Sequence, residues 1–153
     1  MDELVLLLSK NENCILFKDQ DGYSALHRAA YSNNLNICKY LLEKHYDLIE
    51  FKTEMGWTPL HSAAYWNNYE IVSFLISMNA NINALTNGKQ SALHLAASQR
   101  NCKETLIILL LNKFTNYYGK NESEETACVV ATRSCEYYRL FEIIDENLNI
   151  INY

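Results

Sequence analysis

The fold of this chain is decided by one short stretch, Gly56-Trp57-Thr58-Pro59-Leu60-His61-Ser62-Ala63-Ala64. Closely similar stretches occupy residues 22–30 and 89–97, and their histidines, His27, His61 and His94, lie 34 and then 33 residues apart. An internal repeat of this length indicates a stack of small units, each of which buries its apolar face against its neighbour. Residues 1–153 are then predicted to be a single domain built from repeated units.

Each copy of the stretch has the residues of a helix start followed by an apolar face. Ser24, Thr58 and Ser91 stand at the N-cap position, where a hydroxyl accepts a backbone N–H. Pro59 follows at the first helical position, where its missing N–H costs nothing. The leucine and the two alanines of each copy recur at i, i+3 and i+4, so they form a narrow stripe that lets helices approach closely.

A second helix is predicted in each unit from apolar residues at helical spacing, over 35–44, 69–77 and about 103–111. Tight turns are predicted between the units, because residues 19–22, 53–56 and 86–89 are rich in Asp, Asn and Gly, which tolerate positive φ. In the third turn the glycine stands one place early, at Gly88, and Lys89 occupies the usual glycine position. We therefore expect this turn to have a different shape.

The N-terminal end is predicted to be an incomplete unit. Leu7 and Leu8 lie 34 residues before a matching leucine pair in the first full repeat. Residues 1–20 are therefore assigned to an N-terminal half-repeat. The three full repeats that follow are assigned to residues 21–52, 53–85 and 86–120.

The C-terminal end is predicted to be a degenerate repeat that caps the stack, at residues 121–146, followed by a tail at 147–153. Val129 stands where the histidine is expected, and Glu124 stands where the glycine is expected. The second helix of this unit is predicted over 136–145. Such degeneracy is typical of a cap, whose outer face meets water instead of another repeat.

Together these motifs resemble the ankyrin-repeat signature Thr-Pro-Leu-His-x-Ala-Ala at its usual period, and the resemblance spans nearly the whole chain. It implies an all-α fold, an α-solenoid of stacked ankyrin repeats in which helix-turn-helix units are joined by β-turn fingers. In that family the motif histidine ties neighbouring turns together through hydrogen bonds. The last third of the chain, at residues 91–98, 103–106, 124–127 and 138–143, resembles one particular member of the family.

Composition and charge favour an intracellular protein, cytoplasmic or nuclear, that contacts neither nucleic acid nor membrane. The formal net charge is −5 at pH 7, whereas a nucleic-acid surface needs clustered Lys and Arg. The five cysteines form no CxxC pair and no zinc-ligand spacing, which favours reduced thiols. The first residues lack the pattern of a signal peptide, and the longest apolar run, Leu106–Leu111, is far too short to span a bilayer.

The sequence shows no catalytic or cofactor-binding pattern, so neither enzymatic activity nor a cofactor is expected. It has no G-x-S-x-G, P-loop or H-E-x-x-H motif. The motif histidines are predicted to be one repeat apart, roughly 10 Å, which is too far to share a metal or a proton. The acidic residues Glu122, Glu124 and Glu125 are better explained as a solvated run beside a helix start, where the helix dipole stabilises carboxylates.

The resemblance implies that the chain binds another protein through the concave face formed by its finger tips and first helices. Both tryptophans fall on this face beside three tyrosines, and such rings dominate binding energy because they bury much area for few lost rotamers. The alternative is that the rings pack on one another or on the next repeat. The predicted protein-binding residues are Gln20, Asp21, Tyr23, Arg28, Tyr31, Glu54, Met55, Trp57, Tyr65, Trp66, Asn87, Gln90, Ser98 and Gln99. The same face includes Ser32, Ser62 and Leu95.

The expected role is that of an adaptor or protein-protein interaction module that acts as a monomer. Because Asp21 and Glu54 lie at the edge of the aromatic patch, we expect a partner segment that carries apolar groups with Lys or Arg nearby. The alternative is a subunit or fragment of a larger assembly with a structural scaffolding role, in which an N-terminal region is missing. An uncovered apolar N-terminal face would favour this alternative.

One residue is a candidate for modification. Asn83 lies in the loop Asn79-Ala80-Asn81-Ile82-Asn83-Ala84, which resembles the ankyrin loop that intracellular asparaginyl hydroxylases modify. The alternative role for its side chain is to hold the loop in place by hydrogen bonds.

Overall fold

The computed structural model describes residues 15–144. Within them, pairs of helices are joined by tight turns. The first helices of the repeats are α1 (Ala25–Tyr31), α3 (Pro59–Tyr65), α5 (Ala92–Ala97) and α7 (Ala127–Ser134). The second helices are α2 (Leu35–Lys44), α4 (Tyr69–Ser77) and α6 (Lys103–Leu110). A 3₁₀ helix, Tyr46–Glu50, follows α2, and residues 139–144 are also helical.

The predicted all-α solenoid of ankyrin type is confirmed. The described residues contain no β-strand, and their two isolated antiparallel bridges, Lys18 with Ser24 and Lys120 with Thr126, lie at the bases of the first and last turns. α1 packs on α3, α3 on α5 and α5 on α7 to form one row, and α2, α4 and α6 pack in a second row. Most of the predicted half-repeat, at residues 1–14, and the tail at 147–153 lie outside the described residues.

Most second helices have the bounds that their apolar spacing predicts. α2 and α4 match them, and α6 ends one residue early, at Leu110. The prediction that the last helix begins at residue 136 was wrong, since it begins at 139. Cys135 is extended, with φ −116° and ψ 130°, and the N–H of Tyr137 meets the Cys135 sulfur at 3.3 Å within a turn. This turn redirects the chain before the helix can start.

Leucines and alanines of the motif form a continuous core along the stack. The alanine pairs at 29–30, 63–64 and 96–97 are buried, and the leucine of each copy is almost wholly inaccessible to solvent. Small side chains at these positions let the first helices pack closely, while the leucines fill the space between the two rows. The core is therefore built from the same residues that define the repeat.

Buried histidines connect each repeat to the next. In each of the three, Nδ1 accepts the backbone N–H of the N-cap residue, at 3.1–3.3 Å. Nε2 donates to a backbone carbonyl of the following repeat, from His27 to Trp57 at 2.8 Å, from His61 to Gln90 at 3.2 Å and from His94 to Glu125 at 3.1 Å. Because Nδ1 is an acceptor, the proton is assigned to Nε2 and the ring is neutral.

Burial keeps these imidazole rings uncharged. It lowers the pKa of His27 and the pKa of His61 from 6.5 to about 4, against the opposing effect of the carbonyl that each ring bonds. Burial lowers the pKa of His94 as well. Protonation would place a charge in the core and turn Nδ1 into a donor that faces the N–H it now accepts. The charged ring would therefore keep its Nε2 bond to the next repeat but lose the bond that closes the start of its own helix.

Four tight turns, here called fingers, share one shape, at residues 19–22, 53–56, 86–89 and 121–124. In each finger, the N–H of the last residue donates to the carbonyl of the first at 2.9–3.0 Å. The last residue has positive φ in all four, 80° at Gly22, 77° at Gly56, 55° at Lys89 and 60° at Glu124. The expectation of a differently shaped third finger was therefore wrong: Lys89 adopts the left-handed conformation that glycine adopts more readily.

A single backbone hydrogen bond joins each finger to the next. These bonds run from Glu54 N–H to Asp21 O at 3.1 Å, from Asn87 N–H to Met55 O at 3.0 Å and from Glu122 N–H to Gly88 O at 3.0 Å. A Cβ at Gly56 would lie 2.6 Å from Oδ1 of Asn87 and 2.8 Å from its backbone nitrogen. Glycine at this position is required by the close approach of the next finger as well as by its φ.

Two substitutions separate the two reasons for glycine at the end of a finger, which are its positive φ and the close approach of the next finger. Lys89→Gly should raise the free energy of unfolding by about 0.5–1 kcal/mol, because it removes left-handed strain while adding entropy to the unfolded chain. Gly56→Ala should lower it by about 2 kcal/mol or more, since the new Cβ meets the backbone of the next finger. Urea unfolding followed by circular dichroism measures both. A Lys89→Gly protein that is less stable than the wild type would contradict the shared finger geometry.

Stability should fall with acidity because of the buried histidines. For His27 and His61 the folded-state pKa of about 4 lies below the unfolded value, so the unfolded chain binds more protons as the pH drops below 6.5 towards 4. Each histidine should reduce the free energy of unfolding by up to about 1.4 kcal/mol per pH unit in this interval. Urea unfolding at constant ionic strength, between about pH 7.5 and about pH 5, measures the slope.

The variant His61→Gln tests this assignment. Its slope below pH 6.5 should be shallower than that of the wild type by up to about 1.4 kcal/mol per pH unit, whatever its stability at neutral pH. His45→Gln, which removes a histidine outside the set of inter-repeat links, is the matched control. An unchanged slope in His61→Gln would show that the acid sensitivity arises elsewhere.

Candidate functional site

A groove lies on the side of the stack formed by the fingers and the first helices, between the first and second full repeats. Its volume is about 380 Å³. We call it the aromatic groove; it is lined by Asp21, Tyr23, Arg28, Tyr31, Trp57, Ser62, Tyr65 and Trp66. All of these except Ser62 belong to the predicted protein-binding set, so the structure brings half of that set together in one place.

Backbone hydrogen bonds fix the position of Trp57 in the groove. Its N–H donates to Oγ1 of Thr53 at 3.1 Å, and its carbonyl accepts the Nε2–H of His27 at 2.8 Å. The histidine that links the first two repeats therefore also holds the residue whose indole lines the groove.

The opposite wall of the groove is held by an asparagine of the second repeat. The side-chain amide of Asn68 donates to the carbonyls of Ala30 at 2.6 Å and Tyr31 at 3.0 Å, at the end of α1. Trp66 is the C-cap residue of α3, two positions before Asn68. These contacts keep Tyr31 beside Trp66, so the aromatic wall crosses the boundary between the two repeats.

Four aromatic rings form a continuous row along the groove, in the order Tyr31, Trp66, Tyr65 and Trp57. The centroids of successive rings are 5.0, 5.4 and 5.4 Å apart, and the first two pairs are edge-to-face, with interplanar angles of 77° and 78°. The rings therefore do pack on one another. Two of them nevertheless remain open to solvent, since Trp66 is 51% exposed and Tyr31 is 47% exposed, whereas Tyr65 and Trp57 are partly buried. Such packing holds the row rigid while leaving its outer faces available.

The charges around the groove are unequal. Arg28 forms an ion pair with Asp19, and its guanidinium lies 4.5 Å from the centroid of the Tyr23 ring. The hydrogen bond from Arg28 lowers the pKa of Asp19, so this pair stays charged on both sides and is neutral overall. Asp21 and Glu54 are exposed and have no ion-pair partner among residues 15–144. The rim of the groove is therefore net negative.

Ser62 lies in the floor of the groove with its hydroxyl unsatisfied. The residue is 1% exposed, and its Oγ has no hydrogen-bond partner in the described part of the chain. Hydroxyls elsewhere on these helices donate to the carbonyl three residues earlier, at 2.6–2.7 Å, as Ser77, Ser98 and Thr132 do. A buried hydroxyl without a partner costs about 1–3 kcal/mol, so Ser62 needs an explanation.

Ser62 can be singled out in the sequence only by comparing the same motif position in neighbouring repeats, since serine as a residue type does not indicate a binding role. Arg28 and Leu95 occupy the equivalent position of the motif in the neighbouring repeats. Serine is the one short side chain among these three, and the one that carries a hydroxyl. Reasoning from large aromatic residues placed Ser62 on the predicted face but not among the predicted binding residues.

The predicted residues of the third repeat do not line the aromatic groove, and their visible contacts are internal. The Asn87 amide donates to the carbonyl of Glu54 at 2.8 Å. Gln90 offers its backbone carbonyl to a motif histidine, and the Gln99 amide donates to Oγ of Ser98 at 2.9 Å. These contacts join fingers and repeats. The remaining predicted residues are exposed at the fingers beside the groove: Gln20, Glu54 and Met55.

Asn83 bridges its own loop to the loop of the next repeat. Its amide donates to the carbonyl of Phe114 at 2.7 Å, and its side-chain oxygen accepts the N–H of Asn116 at 2.8 Å. Both polar atoms of the side chain are therefore engaged. These contacts agree with the structural alternative for Asn83, and its modification stays a prediction.

The groups that would suggest other kinds of site are sparse between residues 15 and 144. No three His, Cys, Asp or Glu side chains there are grouped so that they could hold a metal ion. Nor does this part of the chain form a helix long and apolar enough to cross a membrane. Cys38, Cys102 and Cys135 are buried thiols outside any disulfide, and burial raises the pKa of Cys38 to about 12.

Comparison with known proteins matches the repeat pattern. A family model described as ankyrin repeats, in three copies, matches residues 1–86. Human ankyrin repeat domain-containing protein 49 is 45% identical over 139 residues, which cover 91% of this chain and 58% of the human protein. The mouse protein of that name is 49% identical over the same length. The Drosophila melanogaster protein of that name is 42% identical over 146 residues, covering 95% of this chain and 67% of the fly protein.

The resemblance noted in the last third of the chain was to ankyrin repeat domain-containing protein 49, and it is confirmed by these matches. The chain spans about 58% of the length of the mammalian relatives that it matches.

Replacement of Ser62 should reveal the cost of its unsatisfied hydroxyl. Ser62→Ala should raise the free energy of unfolding by about 0.5–2 kcal/mol, because it removes a buried polar atom without a partner and improves helix propensity. Urea unfolding measures the change. Ser98→Ala is the matched control, since it removes a hydroxyl that donates to the Leu95 carbonyl, and it should bring no such gain. A clearly destabilised Ser62→Ala protein would show that this hydroxyl has a bonding partner within the fold.

Proposed function

This chain belongs to the ankyrin-repeat family, and from that premise we propose that it is an adaptor that binds a protein partner through the aromatic groove. Ankyrin repeats are protein-interaction modules. The proposal adds the place of contact, between the first and second full repeats, and the kind of segment that fits there.

One observation carries the proposal: a row of four aromatic rings lines a groove, and two of them, Tyr31 and Trp66, stay about half-open to solvent. The rings contact one another at 5.0–5.4 Å, and backbone links hold both ends of the row. Binding to such a row costs little ordering entropy because the rings are already in place. Trp and Tyr are also the residues that contribute most energy per contact at protein interfaces.

The rim of the groove indicates the chemistry of the partner. Asp21 and Glu54 are exposed carboxylates without ion-pair partners in the described residues, and Met55 beside them is 67% exposed. An apolar segment flanked by Lys or Arg complements both features. We propose such a segment, with the chain acting as an intracellular monomer that uses no cofactor and does not contact nucleic acid directly.

A second candidate is a scaffolding role within a larger assembly. An apolar cleft of about 190 Å³ lies near the C-terminal end of the described residues, between α6 and the last helix. Leu111 lines it and is 73% exposed. Apolar surface at the end of a repeat stack favours contact with a further protein surface. The N-terminal face, which would distinguish this role most directly, lies outside the described residues.

Partner capture should depend on the two tryptophans. The double variant Trp57→Ala/Trp66→Ala should capture about tenfold less of the specific partner than the wild type, or less still. Truncating such rings typically costs about 2 kcal/mol or more of binding free energy. The measurement is affinity capture from cell lysate with quantitative mass spectrometry. Circular dichroism checks that the variant is folded.

Phe114→Ala is the matched control, since Phe114 is 68% exposed and does not line the groove. It should leave capture unchanged. Partners retained equally by the tryptophan variant and the wild type would argue against the groove and favour the C-terminal cleft. In that case Leu111→Asp should abolish capture.

A further inference from the structure

The polar atoms of the aromatic row are unused within the fold. Its two indole N–H groups and two phenol O–H groups have no hydrogen-bond partner among residues 15–144. The groups on Trp57 and Tyr65 are nevertheless reached by water. Among side chains in this part of the chain that are not exposed, only Ser62 and Thr105 have polar atoms that are both buried and unbonded. The row therefore presents hydrogen-bond donors as well as ring faces to a partner.

A partner that covers the row takes these donors out of water. Buried Trp and Tyr polar atoms normally have a hydrogen-bond partner, and a donor left without one lowers affinity. The partner must therefore bring acceptors. It finds few acceptors in return, since the carbonyls of Trp57 and Tyr31 already accept hydrogen bonds from His27 and Asn68. A segment that is rich in acceptors and poor in N–H groups fits the row best.

Backbone conformation decides which segment has this pattern. An α-helix bonds its carbonyls within itself, so it would cover the ring donors without offering acceptors. An extended strand offers carbonyls but brings as many N–H groups. A proline-rich segment in the polyproline II conformation has no internal hydrogen bonds, and each proline lacks an N–H. It therefore offers acceptors with few donors, and segments of this kind dock in grooves lined by aromatic rings.

The charge at one end of the row indicates what flanks this segment. The row runs from the C-terminal end of α1 to Trp57, which follows directly after the second finger. Asp21 and Glu54 belong to the first two fingers, and neither carboxylate has an ion-pair partner in the described residues. A Lys or Arg of the partner at this end is therefore attracted, whereas an acidic residue is repelled.

From these observations we propose that the aromatic groove binds a proline-rich partner segment in the polyproline II conformation, whose carbonyls accept hydrogen bonds from the ring donors. A Lys or Arg of the segment lies at the Trp57 end. This inference rests on the proposed binding function and names the conformation and composition of the partner. Successive ring centroids are 5.0–5.4 Å apart, so the row contacts about five residues at roughly 3.1 Å per residue. Both surfaces are ordered before they meet, which keeps the entropic cost of binding low.

The test uses the full chain, immobilised, and mixtures of capped peptides about nine residues long. The reference mixture has proline fixed at most central positions, the others randomised among uncharged amino acids, and lysine at both ends so that either direction of binding places a cation at the rim. Three comparison mixtures replace the prolines by alanine, the prolines by valine, or the lysines by glutamate. Mass spectrometry measures the retained fraction on the wild type, Trp66→Ala, Trp66→Phe, Asp21→Asn/Glu54→Gln and the control Phe114→Ala.

The reference mixture should be retained about tenfold more than each comparison mixture on the wild type and on Phe114→Ala. Trp66→Ala should reduce its retention about tenfold, and Trp66→Phe, which keeps a ring but removes the N–H, should reduce it about threefold. Asp21→Asn/Glu54→Gln should remove the preference for lysine over glutamate. Alanine, valine or glutamate mixtures retained as well as the reference would overturn the proposal. So would reference retention that is unchanged in Trp66→Ala or Trp66→Phe, or failure to retain any mixture.

The outcome separates this inference from the proposed function. If partner capture depends on the tryptophans but no preference for proline is found, the groove binds a partner in another conformation and only this inference fails. If capture does not depend on the tryptophans, the groove is not the binding site and both fail.

Discussion

The structure depends on a neutral imidazole ring that is bonded at both nitrogens. In each full repeat, Nδ1 closes the start of the first helix, and Nε2 reaches the carbonyl that precedes the first helix of the next unit. One buried side chain thereby sets both the local geometry of a helix start and the distance to the following repeat. Acceptance at Nδ1 requires an uncharged ring, and the burial that the stack provides keeps the His27 and His61 rings uncharged.

The aromatic groove is a direct product of this link. The carbonyl that accepts from His27 belongs to Trp57, so the bond that joins the first two repeats also orients a ring of the groove. Asn68 acts similarly at the other wall through the carbonyl of Tyr31. On a first helix of the stack, the side chains that face the core therefore join the repeats, and the side chains on its other face line the groove.

Much of this architecture follows from the sequence because its determinants are local and repeated. The period, the N-cap hydroxyls and the alanine stripe specify helix pairs, and α2 and α4 have the expected bounds. The third finger was less predictable, since Lys89 has a weak preference for positive φ, and hydrogen bonds to the fingers on both sides hold it there. The last helix starts only after a turn that contains a contact from the Tyr137 N–H to the Cys135 sulfur, and no periodic pattern encodes such a turn.

The candidate site was only partly predictable, for a different reason. Large rings can be recognised from residue type and motif position, and seven of the predicted residues do meet in one groove. Ser62 could not be found that way, because what distinguishes it is a buried hydroxyl without a partner in the described residues. Arg28 and Leu95 occupy the equivalent position of the motif in the neighbouring repeats. The same position of the motif thus varies freely among a guanidinium, a hydroxyl and an isobutyl group while the histidine next to it stays the same. Over evolutionary time, this arrangement lets recognition diversify by exchange of single side chains, with the architecture inherited unchanged.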